Sequence, residues 1–247
     1  IGFMLSRLKL VPTLITIPSL IILVWLGVWQ LQRMDWKADL ITKLQERSTM
    51  AAETLPPGDL SIDDMEFRQV KVTGRFLNEA EMFLLNRSLN GNPGLHVLTP
   101  FQRDDVPGSP VILVNRGWVP FDRKEQDTRE EGLIDGQTTV NGIVRFQRPI
   151  TGLQHVFLPE NEPDRNMWYS INSDQMGNQI GMPVPNYYVV DGNDAVPGLY
   201  PVGRQWRLDI PNNHLKYALT WFFLAIALGV IFVLYHRPAK QGSPSDV

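Results

Sequence analysis

The chain carries two long uncharged stretches, LVPTLITIPSLIILVWLGVWQLQ at residues 10–32 and YALTWFFLAIALGVIFVLY at residues 217–235. They lie near the two ends of a chain of 247 residues. The hydrocarbon core of a bilayer requires about 20 apolar residues in a helix. Each stretch therefore predicts one membrane-spanning helix, although the mean hydropathy of the whole chain is only −0.14.

The first stretch is predicted to be a retained helix and not a signal peptide. Signal h-regions span about 7–15 residues and end at an A-x-A-like cleavage site, which this stretch lacks. Pro12 and Pro18 predict a bend or a late start of the helix. Because the sequence opens on Ile1, we expect the natural N-terminus to lie further upstream.

The basic residues outside the two stretches predict the orientation. Arg7 and Lys9 precede the first stretch, and Arg237 and Lys240 follow the second. By the positive-inside rule both termini are expected in the cytoplasm. The long middle segment then lies on the other side of the membrane.

Composition excludes several classes of protein. Without cysteine there is no disulfide, thiolate zinc site, iron–sulfur cluster or CxxCH haem attachment, and copper delivery is disfavoured because soft ligands are scarce. Residues 34–213 carry 17 Lys and Arg against 25 Asp and Glu. Nucleic-acid binding requires a basic face, so this acidic segment disfavours it.

The middle segment begins with helical spacing and continues as short alternating apolar runs separated by Gly, Pro and Asn clusters. Such alternation predicts an antiparallel sheet or barrel, and a short helix is expected at 174–180 with Ser173 as its N-cap. The predicted fold class is a membrane protein in which N- and C-terminal transmembrane helices flank a mainly antiparallel β (α+β) extramembrane domain. The predicted segments are a transmembrane helix at 10–32, an amphipathic helical extension at 33–55, an extracytoplasmic mainly-β domain at 56–213, a transmembrane helix at 214–236 and a cytoplasmic tail at 237–247.

The polar residues form no recognisable catalytic constellation. The four histidines, His96, His155, His214 and His236, show no HExxH or other local metal spacing, and GxSxG, GxxxxGK[ST] and GxGxxG are absent. We therefore predict that the protein is not an enzyme.

One aromatic cluster suggests a porphyrin site. His214, Tyr217 and Trp221 are spaced i, i+3 and i+7, which is one stripe of a helix, while Trp29 and Arg33 reach the same membrane interface on the first span. Histidine can ligate haem iron, and arginine can pair with propionates. Interfacial Trp and Tyr also form ordinary aromatic belts, so spacing leaves both interpretations open.

Similarly, Arg116 in Asn115–Pro120 is either part of a strand-ending turn or a presented ligand contact.

Motifs along nearly the whole chain resemble the surfeit locus protein 1 family, membrane assembly factors for haem–copper terminal oxidases. The matching segments are Gly27–Arg33 with Trp36-Lys37, Val72–Phe76, Thr99–Phe101, Val114–Pro120, Pro159–Pro163, Met167–Tyr169 and Asn213–Trp221. One departure is Tyr169–Asp174, which lacks the Arg-Asp pair expected soon after Trp168.

The resemblance implies that the protein assists assembly of cytochrome c oxidase and binds or hands over haem a to the catalytic subunit. It also implies His214 as the haem-iron ligand. Tyr217, Trp221, Trp29, Arg33 and Arg116 are carried over as cofactor-binding candidates because they lie within matching motifs. The implied partners are the catalytic oxidase subunit and the lipid bilayer, with haem a synthase as a further candidate.

Two other functions remain open at this point. The protein could scaffold the oxidase catalytic subunit without binding haem, or it could be a membrane-anchored enzyme. We expect a bacterial inner membrane, because no Arg-rich transit peptide precedes the first span; the alternative is the mitochondrial inner membrane.

Overall fold

A computed structural model describes residues 10–106, 108, 110–152, 157–193, 199–206 and 211–237. The predicted tail at 237–247 therefore lies outside the described residues except for Arg237, as does His155. The helices and strands, in chain order, are α1 (Leu10–Thr49), β1 (Glu53–Thr54), α2 (Ile62–Met65), β2 (Gln69–Phe76), β3 (Met82–Leu89), β4 (Asn92–Arg103), β5 (Ile112–Pro120), β6 (Gln137–Phe146), β7 (Met167–Trp168), α3 (Ser173–Ile180), β8 (Tyr187–Asp191) and α4 (His214–Tyr235). Short 3-10 turns lie at Asn78–Ala80, Phe121–Arg123, Gln126–Thr128, Glu130–Gly132 and Pro163–Arg165.

The chain divides into two compact units. The first, here called the helical unit, comprises Ile1–Thr42 and Asp209–Val247. The second, the sheet unit, comprises Lys43–Leu208. Helix α1 contributes residues to both, and all eight strands belong to the sheet unit.

The helical unit contains the two predicted spans. Helix α4 has 22 residues and, at about 1.5 Å per residue, is about 33 Å long, which matches a bilayer core of about 30 Å. Helix α1 has 40 residues and is about 60 Å long. Both helices are long and apolar enough to cross a membrane. Pro18 lies inside α1, whose described residues are helical from Leu10.

A close approach of α1 and α4 is permitted by one glycine. A Cβ atom on Gly27 would lie 2.5 Å from Cε1 of the Phe222 ring, so any side chain there would displace the ring. Ala218 and Ala225 are the buried positions of α4. Small residues are common where membrane helices pack, because they let the backbones come close.

The sheet unit is built on a closed ring of five strands. Antiparallel ladders join β2 to β6, β6 to β8 and β4 to β5, and a parallel ladder joins β8 to β5. An antiparallel ladder between β2 and β4 then closes the ring. Strands β3 and β7 extend the sheet beyond β4, and β1 pairs parallel with β2. The predicted mainly antiparallel sheet is confirmed.

Two apolar clusters lie on the two faces of this sheet, and a further cluster comprises Phe83, Leu95, Val97 and Val119. The ring encloses apolar side chains that alternate along the strands, including Val70, Val72, Phe101, Val114 and Val189. The other face carries a second cluster of Met82, Leu84, Leu98, Leu113, Trp168 and Met176, with Met176 contributed by α3. Strand β5 is buried along nearly its whole length, because both of its faces are covered.

Two local predictions differ from the structure. The N-cap of α3 is Asn172 and not Ser173, since the Asn172 side-chain oxygen accepts a hydrogen bond from Gln175 N at 3.0 Å. The segment assigned as a helical extension to residue 55 stops being helical after Thr49, and Glu53–Thr54 pair as a strand with β2. Pairing with a neighbouring strand satisfies these backbone groups, which local helical spacing does not reveal.

Gly117 marks an irregularity in β5. The ladder to β4 pairs Leu98 with Asn115 and Val97 with Gly117, so Arg116 is the extra residue of a bulge. Gly117 has φ +125°, and a Cβ atom there would collide with the Val202 carbonyl oxygen. The same segment is tied to β5 by hydrogen bonds from Trp118 N to Val202 O and from Val202 N to Trp118 O, at 2.9 and 2.8 Å.

We expect Gly117→Ala to destabilise the sheet unit, because it adds backbone strain and a clash with a carbonyl group. The expected loss is about 2–3 kcal/mol, which lowers the Tm of the full chain in detergent by roughly 5 °C or more. Gly91→Ala is the matched control, since Gly91 also has a positive φ, +85°, but open space around it; it should cost only about 1 kcal/mol. Equal Tm values for the two variants would contradict this role for Gly117.

Candidate functional site

His214 makes a polar contact between the two helices of the helical unit. It is the first residue of α4 and is half-buried, and its Nδ1 lies 2.7 Å from the side-chain oxygen of Gln30 on α1. An amide oxygen only accepts hydrogen bonds, so Nδ1 carries the proton and donates it. In the neutral imidazole Nε2 then keeps its lone pair, and in the described part of the chain this nitrogen has no hydrogen-bond partner.

Two further hydrogen bonds fix the same ends of the helices. The side-chain amide nitrogen of Asn212 donates to Met34 O at 3.0 Å, and Lys37 Nζ donates to Pro211 O at 2.8 Å. Gln30, Met34 and Lys37 follow one another at four and three residues, so they lie on one face of α1. This face holds residues 211–214 against the helix and so orients the His214 ring.

The other predicted site residues of the helical unit lie on different faces. Trp221 is half-buried and lies two turns beyond His214 on α4, whereas Tyr217, one turn beyond it, is exposed. Trp29 and Arg33 are exposed on α1, displaced from Gln30 by about 100° and 60° around the helix axis. The structure thus brings His214 and Trp221 onto the inter-helix face, with Tyr217 at its edge, and leaves Trp29 and Arg33 outside it.

Arg33 already has an aromatic neighbour. Its guanidinium lies 3.8 Å from the centroid of the Trp36 ring. Trp25, Trp29 and Trp36 are all exposed, as residues of an interfacial aromatic belt would be. Their exposure is also compatible with contact to a flat apolar ligand, so their assignment to a cofactor stays a prediction.

The other described histidines have different surroundings. His96 lies on β4, where its Nδ1 is 3.1 Å from the side-chain nitrogen of Asn115. Burial, helped by the positive charge of Arg87, lowers the pKa of His96 to about 4, so this imidazole is neutral at physiological pH. His236 follows the C-terminal end of α4, where its Nδ1 lies 2.8 Å from Phe232 O. In the described ranges no three His, Asp or Glu side chains group as a metal site.

Arg116 belongs to a buried charge cluster of the sheet unit. Its side chain is 3% exposed and its Nη1 lies 3.4 Å from Oε1 of Glu81, which is equally buried. Arg129 binds the same carboxylate, with Nη2 at 2.5 Å from Oε2. The Arg116 Nη2 donates to the Gly132 carbonyl oxygen. We call Glu81, Arg116 and Arg129 the Glu81 cluster.

The surroundings of Arg116 affect the pKa of its guanidinium and occupy its N–H donors. Burial lowers the pKa of its guanidinium, and the negative charges of Glu81 and Asp191 act in the opposite direction. Its carbon Cζ also lies 4.6 Å from the centroid of the Phe76 ring. The donors of Arg116 are therefore engaged inside the domain, and a direct contact with a ligand would have to replace them. Its assignment to the cofactor stays a prediction.

Sequence reasoning missed two residues of these sites. Gln30 stands inside a quoted motif, but only the packing of α1 against α4 reveals which side chain faces His214. Glu81 lies 35 residues before Arg116, and nothing local connects them. A polar residue on the small-residue face of a membrane helix is a signal that could have identified Gln30.

Comparison with known proteins gives consistent matches. A sequence profile of the SURF1 family matches residues 18–226. The Surfeit locus protein 1 of Rattus norvegicus is 33% identical over 221 residues, which cover 84% of this chain and 70% of the rat protein. The Homo sapiens protein of that name is 32% identical over 234 residues, covering 89% and 74%. A SURF1-like protein of Rickettsia conorii is 32% identical over 221 residues, covering 87% of each chain.

The structural role of Arg116 can be separated from a ligand role. Arg116→Gln should destabilise the sheet unit by about 3 kcal/mol, because it strips a partner from the buried carboxylate of Glu81. The control is Arg75→Gln on β2, whose side chain is 63% exposed and pairs with Asp104; such surface pairs contribute about 0–1 kcal/mol. Thermal unfolding of the full chain in detergent measures both. An Arg116→Gln protein with an unchanged Tm would contradict the structural role.

Proposed function

This chain belongs to the SURF1 family, and from that membership we propose that it is a non-enzymatic assembly factor for a haem–copper terminal oxidase. In this proposal the helical unit holds haem a transiently and hands it to the catalytic subunit of cytochrome c oxidase. The observation that carries the proposal is the hydrogen bond between Gln30 and His214.

The proton on Nδ1 prepares His214 for iron. A histidine ligand to a metal commonly donates its other ring N–H to an acceptor, which fixes the tautomer and the ring orientation. Gln30 Oε1 is such an acceptor, at 2.7 Å from Nδ1. The lone pair of Nε2 is then available to haem iron, the usual partner of a neutral imidazole in haem proteins.

A single axial histidine suits a cargo that must be released. The other histidine of the described helical unit, His236, lies 22 residues further along α4, about 33 Å away along the helix axis. One helix pair therefore cannot supply both axial ligands from these residues. If His214 held the iron, transfer would replace this one imidazole by a ligand that the catalytic subunit supplies.

The remaining helical-unit candidates suit the apolar part of the cargo. Tyr217 and Trp221 follow His214 by one and two turns of α4 and offer aromatic faces to a macrocycle. Trp29 would extend the aromatic surface on α1. Arg33, at the polar end of the apolar stretch of α1, is the candidate partner for a propionate.

We further propose that the protein lies in a bacterial inner membrane with both termini cytoplasmic and the sheet unit periplasmic, the mitochondrial inner membrane being the alternative. The charge distribution along the chain supports this orientation. The proposed partners are the oxidase catalytic subunit and the lipid bilayer, with haem a synthase as a candidate donor of the haem.

Haem binding is tested by purifying the full chain in detergent after co-production with the haem a biosynthetic enzymes. Oxidised and reduced optical spectra of the wild type should show haem a, and His214→Ala should lose it. Gln30→Ala should retain the pigment with an affinity lower by about 10–100-fold, the usual effect of removing the acceptor that orients a ligating histidine. His236→Ala is the control and should bind haem like the wild type.

A colourless wild-type protein that still co-purifies with the oxidase catalytic subunit would overturn the haem proposal and support a scaffold. Pigment retained by His214→Ala would exclude this residue as the axial ligand. An affinity for haem a that Gln30→Ala leaves unchanged would contradict the orienting role of the amide.

The orientation is tested by cysteine labelling, since the sequence of residues 1–247 contains no cysteine. Ser88→Cys, at an exposed position of β3, should react with a membrane-impermeant maleimide in intact bacterial spheroplasts. Ser6→Cys, before the first span, should react only after permeabilisation. The reverse pattern would place the sheet unit in the cytoplasm.

A further inference from the structure

A pocket of about 450 Å³ in the sheet unit is lined by three arginines. Arg87 comes from β3, Arg145 from β6, and Arg148 follows two residues after β6. The ladder between β6 and β8 places Arg145 opposite Tyr188, which also lines the pocket. Residues distant in the chain therefore converge on one cavity.

The positive charge of this pocket is only partly neutralised. Arg145 Nε and Arg148 Nη2 both bind a single oxygen, Oε1 of Glu66, at 3.2 Å. The second oxygen, Oε2, accepts from the backbone N–H of Phe146 at 3.0 Å. One carboxylate thus serves two guanidiniums, and among the described residues each guanidinium keeps N–H donors that have no partner.

Arg87 has no ion pair within the described ranges of the chain. Within these ranges Arg87 Nη1 donates a hydrogen bond of 3.3 Å to the carbonyl oxygen of the preceding residue, Asn86. The side chain is half-buried, and burial lowers the pKa of its guanidinium. A desolvated cation without a counter-ion is costly, so an anion in the pocket would stabilise it.

Tyr188 adds a hydroxyl to the three guanidiniums. Burial raises the pKa of this phenol, which therefore stays protonated and can donate a hydrogen bond. Three arginines, one glutamate and a neutral phenol give the pocket a net charge of +2. A phosphate monoester carries nearly two negative charges at pH 7 and offers three terminal oxygens to such donors.

One wall of the same pocket is apolar. Ile150, Leu158 and Ile171 line it and are half-buried, and Phe157 is 80% exposed. Inorganic phosphate would leave these side chains in water. An apolar chain attached to the phosphate would cover them, at a gain of about 25 cal/mol per Å² of buried apolar surface.

We propose that the pocket between Arg87, Arg148 and Tyr188 binds a phosphate monoester that carries an apolar chain. This ligand chemistry occurs in soluble alkyl phosphates and in the headgroup of phosphatidic acid. The site is separate from the helical unit, and its occupancy does not depend on haem binding by His214.

The test is calorimetric titration of the full chain in dodecyl maltoside with n-hexyl phosphate, inorganic phosphate and n-hexanol. We expect saturable binding of hexyl phosphate, at least about tenfold tighter than inorganic phosphate, and no binding of hexanol. Arg87→Gln should lower the affinity for hexyl phosphate about tenfold or more, as expected for the loss of a charge-assisted contact. Arg75→Gln, which removes the same charge from an exposed residue outside the pocket, is the matched control.

Two further variants keep the test decisive if Arg87→Gln folds poorly. The side chain of Arg148 is 53% exposed, so the Arg148→Gln protein should fold normally. Its affinity for both hexyl phosphate and inorganic phosphate should still be lower than that of the wild type. Phe157→Ser should lower the affinity for hexyl phosphate and leave the affinity for inorganic phosphate unchanged. Absence of saturable binding, or equal affinities in wild type and both arginine variants, would overturn the proposal, and equal affinity for the two phosphates would overturn the apolar part of the ligand.

The source of the phosphate is distinguished in nanodiscs. Hexyl phosphate should bind in phosphatidylcholine discs, and its apparent affinity should fall when the discs contain phosphatidic acid, if the lipid headgroup reaches the same pocket. Unchanged affinity would assign the site to soluble esters. The proposal of an amphipathic ligand would be overturned if phosphatidic acid left the affinity for hexyl phosphate unchanged and Phe157→Ser also failed to lower it.

Discussion

The sheet unit depends on the neutralisation of one buried charge, the carboxylate of Glu81. Moving an ion out of water costs several kcal/mol unless a counter-ion with good geometry replaces the solvent. Arg129 and Arg116 supply this replacement, and the Thr99 hydroxyl approaches the same carboxylate. Because these groups come from β4, β5 and the segment after β5, the carboxylate holds the ring, the β3 extension and the following turns in one arrangement. Apolar contacts are not directional, so an apolar core in the same place would not fix the relative positions of these segments in this way.

The same cluster changes the interpretation of the motif Asn115–Pro120, one of the segments on which the family resemblance rests. Asn115 contacts His96 and accepts from the Gly117 N–H, Arg116 enters the Glu81 cluster, and Gly117 and Trp118 meet the segment around Val202. Asn115 and Arg116 thus have side-chain partners inside the domain, whereas the buried indole nitrogen of Trp118 has no hydrogen-bond partner among the described residues. The bulge at Arg116 makes these contacts possible, because an extra residue re-aims the side chains on either side of it. These contacts give Arg116 a structural role, and its assignment to the cofactor stays a prediction.

How much the sequence predicted depended on the range of the interaction. Charge-free runs predicted the two spans, and period-two alternation predicted the strands. Both are local patterns, because each reflects only how the segment itself is buried. The closure of the ring by β2 and β4 did not follow, since these strands pair across a sequence separation that no local pattern encodes. For the same reason Arg116 remained ambiguous and Gln30 was overlooked in favour of its neighbour Trp29. A stripe of aromatic residues is visible in a sequence, whereas the face of a helix that meets another helix depends on the partner.

The polar pair Gln30 and His214 is difficult to explain by stability alone. In two helices apolar enough to span a bilayer, leucine at both positions could pack and would avoid moving two polar side chains towards hydrocarbon. The hydrogen bonds of Asn212 and Lys37 differ, because they satisfy backbone carbonyl groups at the helix ends. The Gln30–His214 bond instead pairs two side chains and leaves one ring nitrogen unpartnered among the described residues. This arrangement supports the proposal that His214 binds a ligand through Nε2, because ordinary helix packing does not require an oriented ring nitrogen without a partner.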